Sequence, residues 1–270
     1  MTGYGISHGC VSVINGIVTG TGAVIGIALE TFAEYSEMGI EQAVYIVGED
    51  TDDNLARICV RRTLEALRIN PSVPYMLTIK SEIPPSRGLK SSSSVCNAII
   101  RAVLDEHHES METMDIIKLG VECAKEAKVT ITGSFDDACG CELDGFIMTE
   151  NYRNEIVRHE PFPVKDVVIC VPDYVKKGVP REAYELRAPQ MEEIKEVCRT
   201  DILKAMTMNG RLIADIVGEP SDLIDAAMES GALAAGISGT GPAIAIICDP
   251  GTGEWMAEKL GCNCIVTRTR

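Results

Sequence analysis

The first charged side chain in this sequence is Glu30, so 29 residues without Asp, Glu, Lys or Arg precede it. A stretch this apolar has to be buried, in a bilayer or in a protein core. Three features select the core. No basic segment precedes the apolar residues, as a signal peptide would require. Ser12, Asn15, Thr19 and Thr21 interrupt them, with glycines at 16, 20, 22 and 26. The apolar residues Val11, Val13, Ile14, Ile17, Val18, Val24, Ile25 and Ile27 are β-branched, which suits pleated strands. The pattern predicts two buried strands, at 10–18 and 23–29, joined by a glycine-rich turn. Residues 231–248 are also uncharged and are broken by glycines and Pro242. A soluble, cytoplasmic protein with no membrane span is expected.

Charge and aromatic content narrow the partners. Lys and Arg number 25 against 40 Asp and Glu, a net charge of −15. Such a surface repels phosphate backbones and anionic lipid, so neither nucleic acid nor membrane is an expected partner. Aromatics make up only 4%, too few for a base-stacking platform. A small anionic ligand stays possible, because a local site can oppose the global sign. The 11 cysteines contain no CxxC pair, and the nearest pairs are Cys139/Cys141 and Cys262/Cys264. That spacing is unlike the usual zinc sites, so reduced thiols serving as small core residues are expected.

Periodicity predicts further strands at 43–48, 75–79, 146–149, 167–171, 232–237, 243–248 and 263–267. Helices are predicted from Asp52 to Leu67, at 91–107, 113–127, 189–208, 210–218, 221–230 and 252–260. Strands come in runs with helices between them, without strict βαβ alternation, which argues for an α+β fold. The polar stretch from Asn151 to Pro163 is the best boundary. It divides the chain into domains of 1–155 and 156–270.

The strongest local signal is Pro84-Pro85-Ser86-Arg87-Gly88-Leu89-Lys90-Ser91-Ser92-Ser93-Ser94, between a strand and a helix. A serine run alone would do as a helix cap. Here the prolines fix the approach, Gly88 opens backbone conformations closed to other residues, and the serines occupy the first helical turn. Unpaired amides and the positive helix end favour an anion there. Arg87 and Lys90 can offset its charge. No Gly-Lys-Ser/Thr occurs, so this is not a Walker A loop. Two later segments complement it. Thr132-Gly133-Ser134-Phe135-Asp136-Asp137-Ala138 sets two adjacent carboxylates after a glycine; it could be an ordinary turn, or supply the acidic groups that phosphoryl transfer to an alcohol needs. Gly239-Thr240-Gly241 could be a tight hairpin, or offer amides to phosphate.

Taken in order, these three segments resemble the GHMP kinase superfamily of small-molecule kinases. The stretches Val13-Ile14-Asn15 with Thr19 to Ala23, Ile83 to Ala98, Val129 to Ala138 and Gly236 to Pro242 narrow the resemblance to its archaeal-type shikimate kinases. The resemblance implies a two-domain GHMP kinase fold, with a ribosomal-protein-S5-like N-terminal domain and a ferredoxin-like C-terminal domain. It implies transfer of phosphate from ATP, with Mg2+, to the 3-hydroxyl of shikimate; homoserine or mevalonate as acceptor, or a non-catalytic binding role, are the alternatives. Nucleotide contacts are expected from Pro85, Ser86, Arg87, Gly88, Leu89, Lys90, Ser91, Ser92, Ser93, Ser94, Gly239, Thr240 and Gly241. Asp136 is expected to be the base, and Asp137 to orient it or share the magnesium. Glu126 and Ser92 are the expected metal ligands. The lysine that many GHMP kinases carry near the position of Cys10 is absent, so its role is either vacant or shifted to Lys90 or Arg87.

Overall fold

The computed structural model describes the chain except for residues 49–51, 131–132 and 175–177. The uncharged N-terminal stretch forms an antiparallel hairpin of β1 (Gly3–Ile14) and β2 (Thr21–Ser36). β1 begins seven residues before the predicted 10–18 and stops at Ile14, while β2 runs past 23–29 at both ends; burial alternates along Gly3–Ser7 and again along Leu29–Ala33 as one-sided strands require. β3 (Gln42–Ile46) leads through α1 (Asn54–Ala66) to β4 (Tyr75–Ser81), which pairs parallel with it. α2 (Ser91–Glu106), α3 (Thr113–Glu126) and α4 (Phe135–Glu142) follow, then β5 (Phe146–Glu150) and β6 (Glu155–Glu160). The first sheet has the order β3-β4-β2-β5-β6, with β1 also paired to β2. Tyr35, Leu77 and Ile79 from its strands pack on Cys59, Leu64, Ile99 and Val103 from α1 and α2.

The second half comprises β7 (Asp166–Cys170), α5 (Arg181–Glu185), α6 (Ala188–Cys198), α7 (Ile202–Val217), α8 (Asp222–Glu229), β8 (Ala234–Ile237), β9 (Ile244–Cys248), α9 (Gly253–Leu260) and β10 (Cys264–Arg268). Its antiparallel sheet has the order β10-β7-β9-β8. This is the split βαβ arrangement of a ferredoxin-like layer. Val11, Val13 and Ile14 of β1 share one apolar cluster with Ile169, Ala245 and Ile247 of this sheet and with Met206 of α7. The hairpin thus joins the two halves.

Three expectations are corrected. β6 belongs to the first sheet, so the change of sheet falls between Glu160 and Asp166, later than the 155/156 division. β6 is an edge strand whose residues alternate between exposed and half-buried, and its Glu155, Arg158 and Glu160 give it the polar look of a linker. α7 runs unbroken through Asn209 and Gly210, where separate helices at 189–208 and 210–218 were expected; the break falls earlier, between Cys198 and Ile202. That glycine lets the helix lie on β8, since a Cβ there would meet the Cα of Gly236 at 2.1 Å. All eleven thiols are free; nine are buried as expected, but Cys264 is half-buried and Cys262 exposed. No helix among the described residues is long and apolar enough to cross a membrane.

Candidate active site

The turn between β4 and α2 holds an unusual backbone. Ser86, Gly88 and Lys90 have φ of 56°, 83° and 71°, so every second residue lies in the left-handed region. Alternation of this kind turns successive N–H groups inward to form an anion nest. α2 begins immediately afterwards, with Lys90 as its N-cap and no acidic residue in its first turn. Its leading amides have no acceptor within the helix and face the positive end of the dipole.

The late glycine turn braces this loop. The Ser238 hydroxyl donates to the Gly88 carbonyl at 2.8 Å, and the Ala243 amide donates to the Arg87 carbonyl at 3.2 Å. Ser12 of β1 closes the other side: its Oγ accepts from the Gly239 amide at 2.9 Å, and its own amide donates to the Ser238 Oγ at 3.2 Å. Asn15 Nδ2 donates to the Gly239 carbonyl at 2.9 Å. The Gly241 amide is bonded to the Ser238 carbonyl. The amides of Gly239 and Gly241, expected to face phosphate, therefore serve within the protein, and the turn acts as a support.

The two aspartates stand in the first turn of α4, whose N-cap Ser134 is left-handed at φ 48°. What reads in sequence as a glycine turn is thus a helix N-terminus. Thr132 of that motif, with Ile131 of the preceding stretch, lies outside the described residues. Asp136 is buried at 5% exposure. Asn151 holds it from the end of β5: the asparagine Oδ1 accepts from the Asp136 amide at 2.9 Å, and its Nδ2 donates to Asp136 Oδ1 at 2.8 Å. The Thr149 hydroxyl fixes the amide orientation by donating to Asn151 Oδ1. Gly22 of β2 leaves room for the carboxylate, since a Cβ there would lie 2.1 Å from Asp136 Oδ2.

Lys90 reaches across from α2, its ammonium 2.9 Å from Asp137 Oδ1 and both side chains largely buried. Burial alone would lower the lysine pKa; Asp137, then Cys10 and Asp136, outweigh it and raise the ammonium above its usual range. Burial, and next the Asp137 charge, push Asp136 up to about 7, while Lys90 and Asn151 pull against them. A carboxylate balanced near neutrality is suited to accept a proton from an alcohol.

A cavity of about 470 Å³ opens between these elements. Of the expected residues, Ser86, Gly88, Leu89, Lys90, Ser91, Ser92, Ser93, Asp136, Asp137, Gly239 and Thr240 line it. Pro85, Arg87, Ser94, Gly241 and Glu126 do not. The Arg87 guanidinium donates to the Tyr174 carbonyl. Ser94 is fully buried. Glu126 is ion-paired with Arg61 and Arg62 of α1, so the carboxylate expected to hold metal points to another helix. Ser12, Asn15 and Asn151 line the cavity unforeseen. Ser12 and Asn15 had a signal in sequence, as polar residues inside an otherwise apolar strand. Asn151 had none, because it opens a stretch that reads as linker.

Comparison with known proteins agrees with this architecture. Residues 54–145 match the family model for the GHMP kinases N terminal domain, and residues 190–266 match the GHMP kinases C terminal model. The chain is 34% identical to a shikimate kinase of Methanococcoides burtonii, over 100% of this chain and 96% of the relative. It is also 34% identical to that of Pyrococcus furiosus over 100% of both. Among solved structures, the mevalonate kinase of Methanococcus jannaschii superposes with a TM-score of 0.79 at 18% identity, covering 100% of this chain and 98% of that one. A homoserine kinase from Cytophaga hutchinsonii gives 0.73 at 16%, covering 100% and 94%; at such identities the likeness is one of fold. With both family domains matched in order and full-length relatives above 30% identity, the chain belongs to the GHMP kinases.

Proposed function

We propose that this chain transfers the γ-phosphoryl group of ATP to the 3-hydroxyl of shikimate, giving shikimate 3-phosphate and ADP. The observation that carries the reading is the pairing of a buried Asp136, balanced near pH 7, with a nest and helix N-terminus on the same cavity. The serine-lined turn receives the phosphates. Asp136 accepts the hydroxyl proton as the new O–P bond forms and the bond to ADP breaks. Asn151 orients that carboxylate, and Lys90 offsets Asp137. ATP use follows from membership of a kinase family. The choice of shikimate over other alcohols rests on the full-length relatives, which carry that name.

The donors on the cavity fit a magnesium ion: two carboxylates and the hydroxyls of Ser91 to Ser93, alongside substrate phosphates. Ser92 and Asp137 would hold it, without Glu126. Bound there, magnesium would neutralise charge on the phosphates.

An ADP-release assay with shikimate, homoserine and mevalonate tests the reading. Shikimate should be the best acceptor, and Asp136→Asn should lower kcat by about 10²–10⁴ with KM little changed. Faster turnover of homoserine or mevalonate would reassign the acceptor. Turnover of Asp136→Asn within a fewfold of wild type would remove Asp136 as the base. No ADP release with any of them would leave a binding protein.

A further inference from the structure

Three thiols scattered in sequence meet at one end of the second sheet. Cys170 ends β7 and Cys264 opens β10, and the two are direct partners across the antiparallel ladder. Cys262 lies two residues earlier in the approach to β10. Its Sγ is 3.0 Å from that of Cys170 and 3.2 Å from that of Cys264, and the remaining pair is 3.1 Å apart. The thiols run from buried Cys170 through half-buried Cys264 to exposed Cys262, so the triangle has an inner vertex and a solvent side. Among the described residues no His, Asp or Glu adds a fourth donor. A disulfide would engage two of these sulfurs and leave the third over, whereas a thiophilic ion engages all three. The Cys262/Cys264 spacing reads as unlike a zinc site because the third ligand stands 92 residues before Cys262.

We propose that Cys170, Cys262 and Cys264 bind one thiophilic divalent cation of the zinc class as three thiolates, with the fourth position open to water or a small solvent-borne ligand. Three S–H bonds are exchanged for three metal–sulfur bonds, the protons pass to solvent, and no electrons move. Zinc–sulfur bonds of about 2.3 Å in a tetrahedron set the sulfurs roughly 3.8 Å apart. Each edge of the triangle therefore has to open by ~0.7 Å; rotation of the exposed Cys262 side chain opens two of them, and rotation of the half-buried Cys264 opens the edge to Cys170. Thiolate coordination requires the thiols to give up their protons, so binding should release protons and weaken steeply on acidification. The bound ion would pin the start of edge strand β10 to β7.

The test uses the whole protein, reduced with a phosphine and freed of metal, titrated with Co2+ and then Zn2+. One equivalent of cobalt should develop the near-ultraviolet thiolate charge-transfer band and the visible bands of tetrahedral cobalt, and zinc should abolish both. Zinc should also raise Tm by about 5 °C at saturation. Cys262→Ser, at an exposed position, should fold as wild type and bind at least about 100-fold more weakly. The double variant Cys262→Ser/Cys264→Ser should give no band. Absence of the band in wild type would overturn the proposal. So would an equally strong band in the double variant, which would assign the cobalt to the other thiols. A disulfide among the three in protein purified without reductant, with no cobalt band after its reduction, would replace the metal with a redox pair. None of these readouts depends on kinase turnover, so the proposed reaction stands or falls separately.

Discussion

Lys90 carries the charge balance of the site. Two adjacent carboxylates sit largely buried on the cavity wall, and the Asp137 charge disfavours ionisation of Asp136. Lys90 takes a left-handed backbone conformation at φ 71°, which costs a non-glycine residue about 1–2 kcal/mol. Glycine would avoid that cost but would leave Asp137 without its cation. The same ammonium lowers the pKa of Asp136 against burial. If Asp136 is the base, kcat/KM should rise with pH through about 7 as its proton leaves, and then level off. Lys90→Gln removes a positive charge that favours the carboxylate, so this limb should move to higher pH, by about one unit or more. Pre-steady-state or initial-rate profiles from pH 5.5 to 9 would measure it. An unshifted limb alongside reduced kcat would mean that Lys90 acts only on phosphate.

At the scale of elements, the β4–α2 turn works because two other segments hold it. Gly88 is at φ 83°, and a Cβ on it would sit 2.1 Å from the Ser238 carbonyl. Gly88→Val would therefore both strain the nest and push away the turn that supports it. KM for ATP should rise by at least about tenfold, with a drop in Tm. Ser92→Ala removes one hydroxyl from the cavity wall and should raise KM by about tenfold to a hundredfold, equivalent to one hydrogen bond to a charged group, with Tm unchanged. Initial rates against ATP concentration, with thermal melts, check both. An unaltered KM in Gly88→Val would detach the turn from the nucleotide. This turn was readable in the sequence because its chemistry is local: prolines, a glycine, cations and serines in consecutive positions. The support was not, because its bonds are long-range: Ser238 to Gly88 spans 150 residues and Ser12 to Ser238 spans 226. α4 was hidden for another reason. Its eight residues give two turns of mostly small side chains, too short for an amphipathic period to emerge.

At the scale of the whole molecule, the uncharged hairpin announced a buried sheet, and the α+β layering followed from the run of strands. The contact between the halves did not, since it depends on single side chains distant in sequence. Arg270, beyond the end of β10, is the clearest case. Its amide donates to the Gly26 carbonyl, and its carbonyl accepts from the Gly145 amide. Its guanidinium lies 2.7 Å from His8 Nδ1, 3.2 Å from Asp144 and 3.2 Å from the Leu143 carbonyl that follows α4. The strand of the second sheet is thereby fastened beside the helix bearing the aspartates. His8 enters this contact as a neutral acceptor. Burial, and then the Arg270 charge, lower its pKa from the ordinary 6.5, so the folded state binds fewer protons there than the unfolded chain does. The stabilisation is full above pH 6.5 and is lost as pH falls through the lowered value. Arg270→Ala should reduce stability by about 2 kcal/mol at pH 8, where one partly buried, charge-assisted contact is removed. It also relieves the repulsion that a protonated His8 would meet. The stability gap between wild type and Arg270→Ala should therefore narrow from pH 7 toward pH 5, as read from denaturant melts across that range. Curves that stay parallel would show that His8 does not sense Arg270, and that the junction is held by the backbone bonds to Gly26 and Gly145.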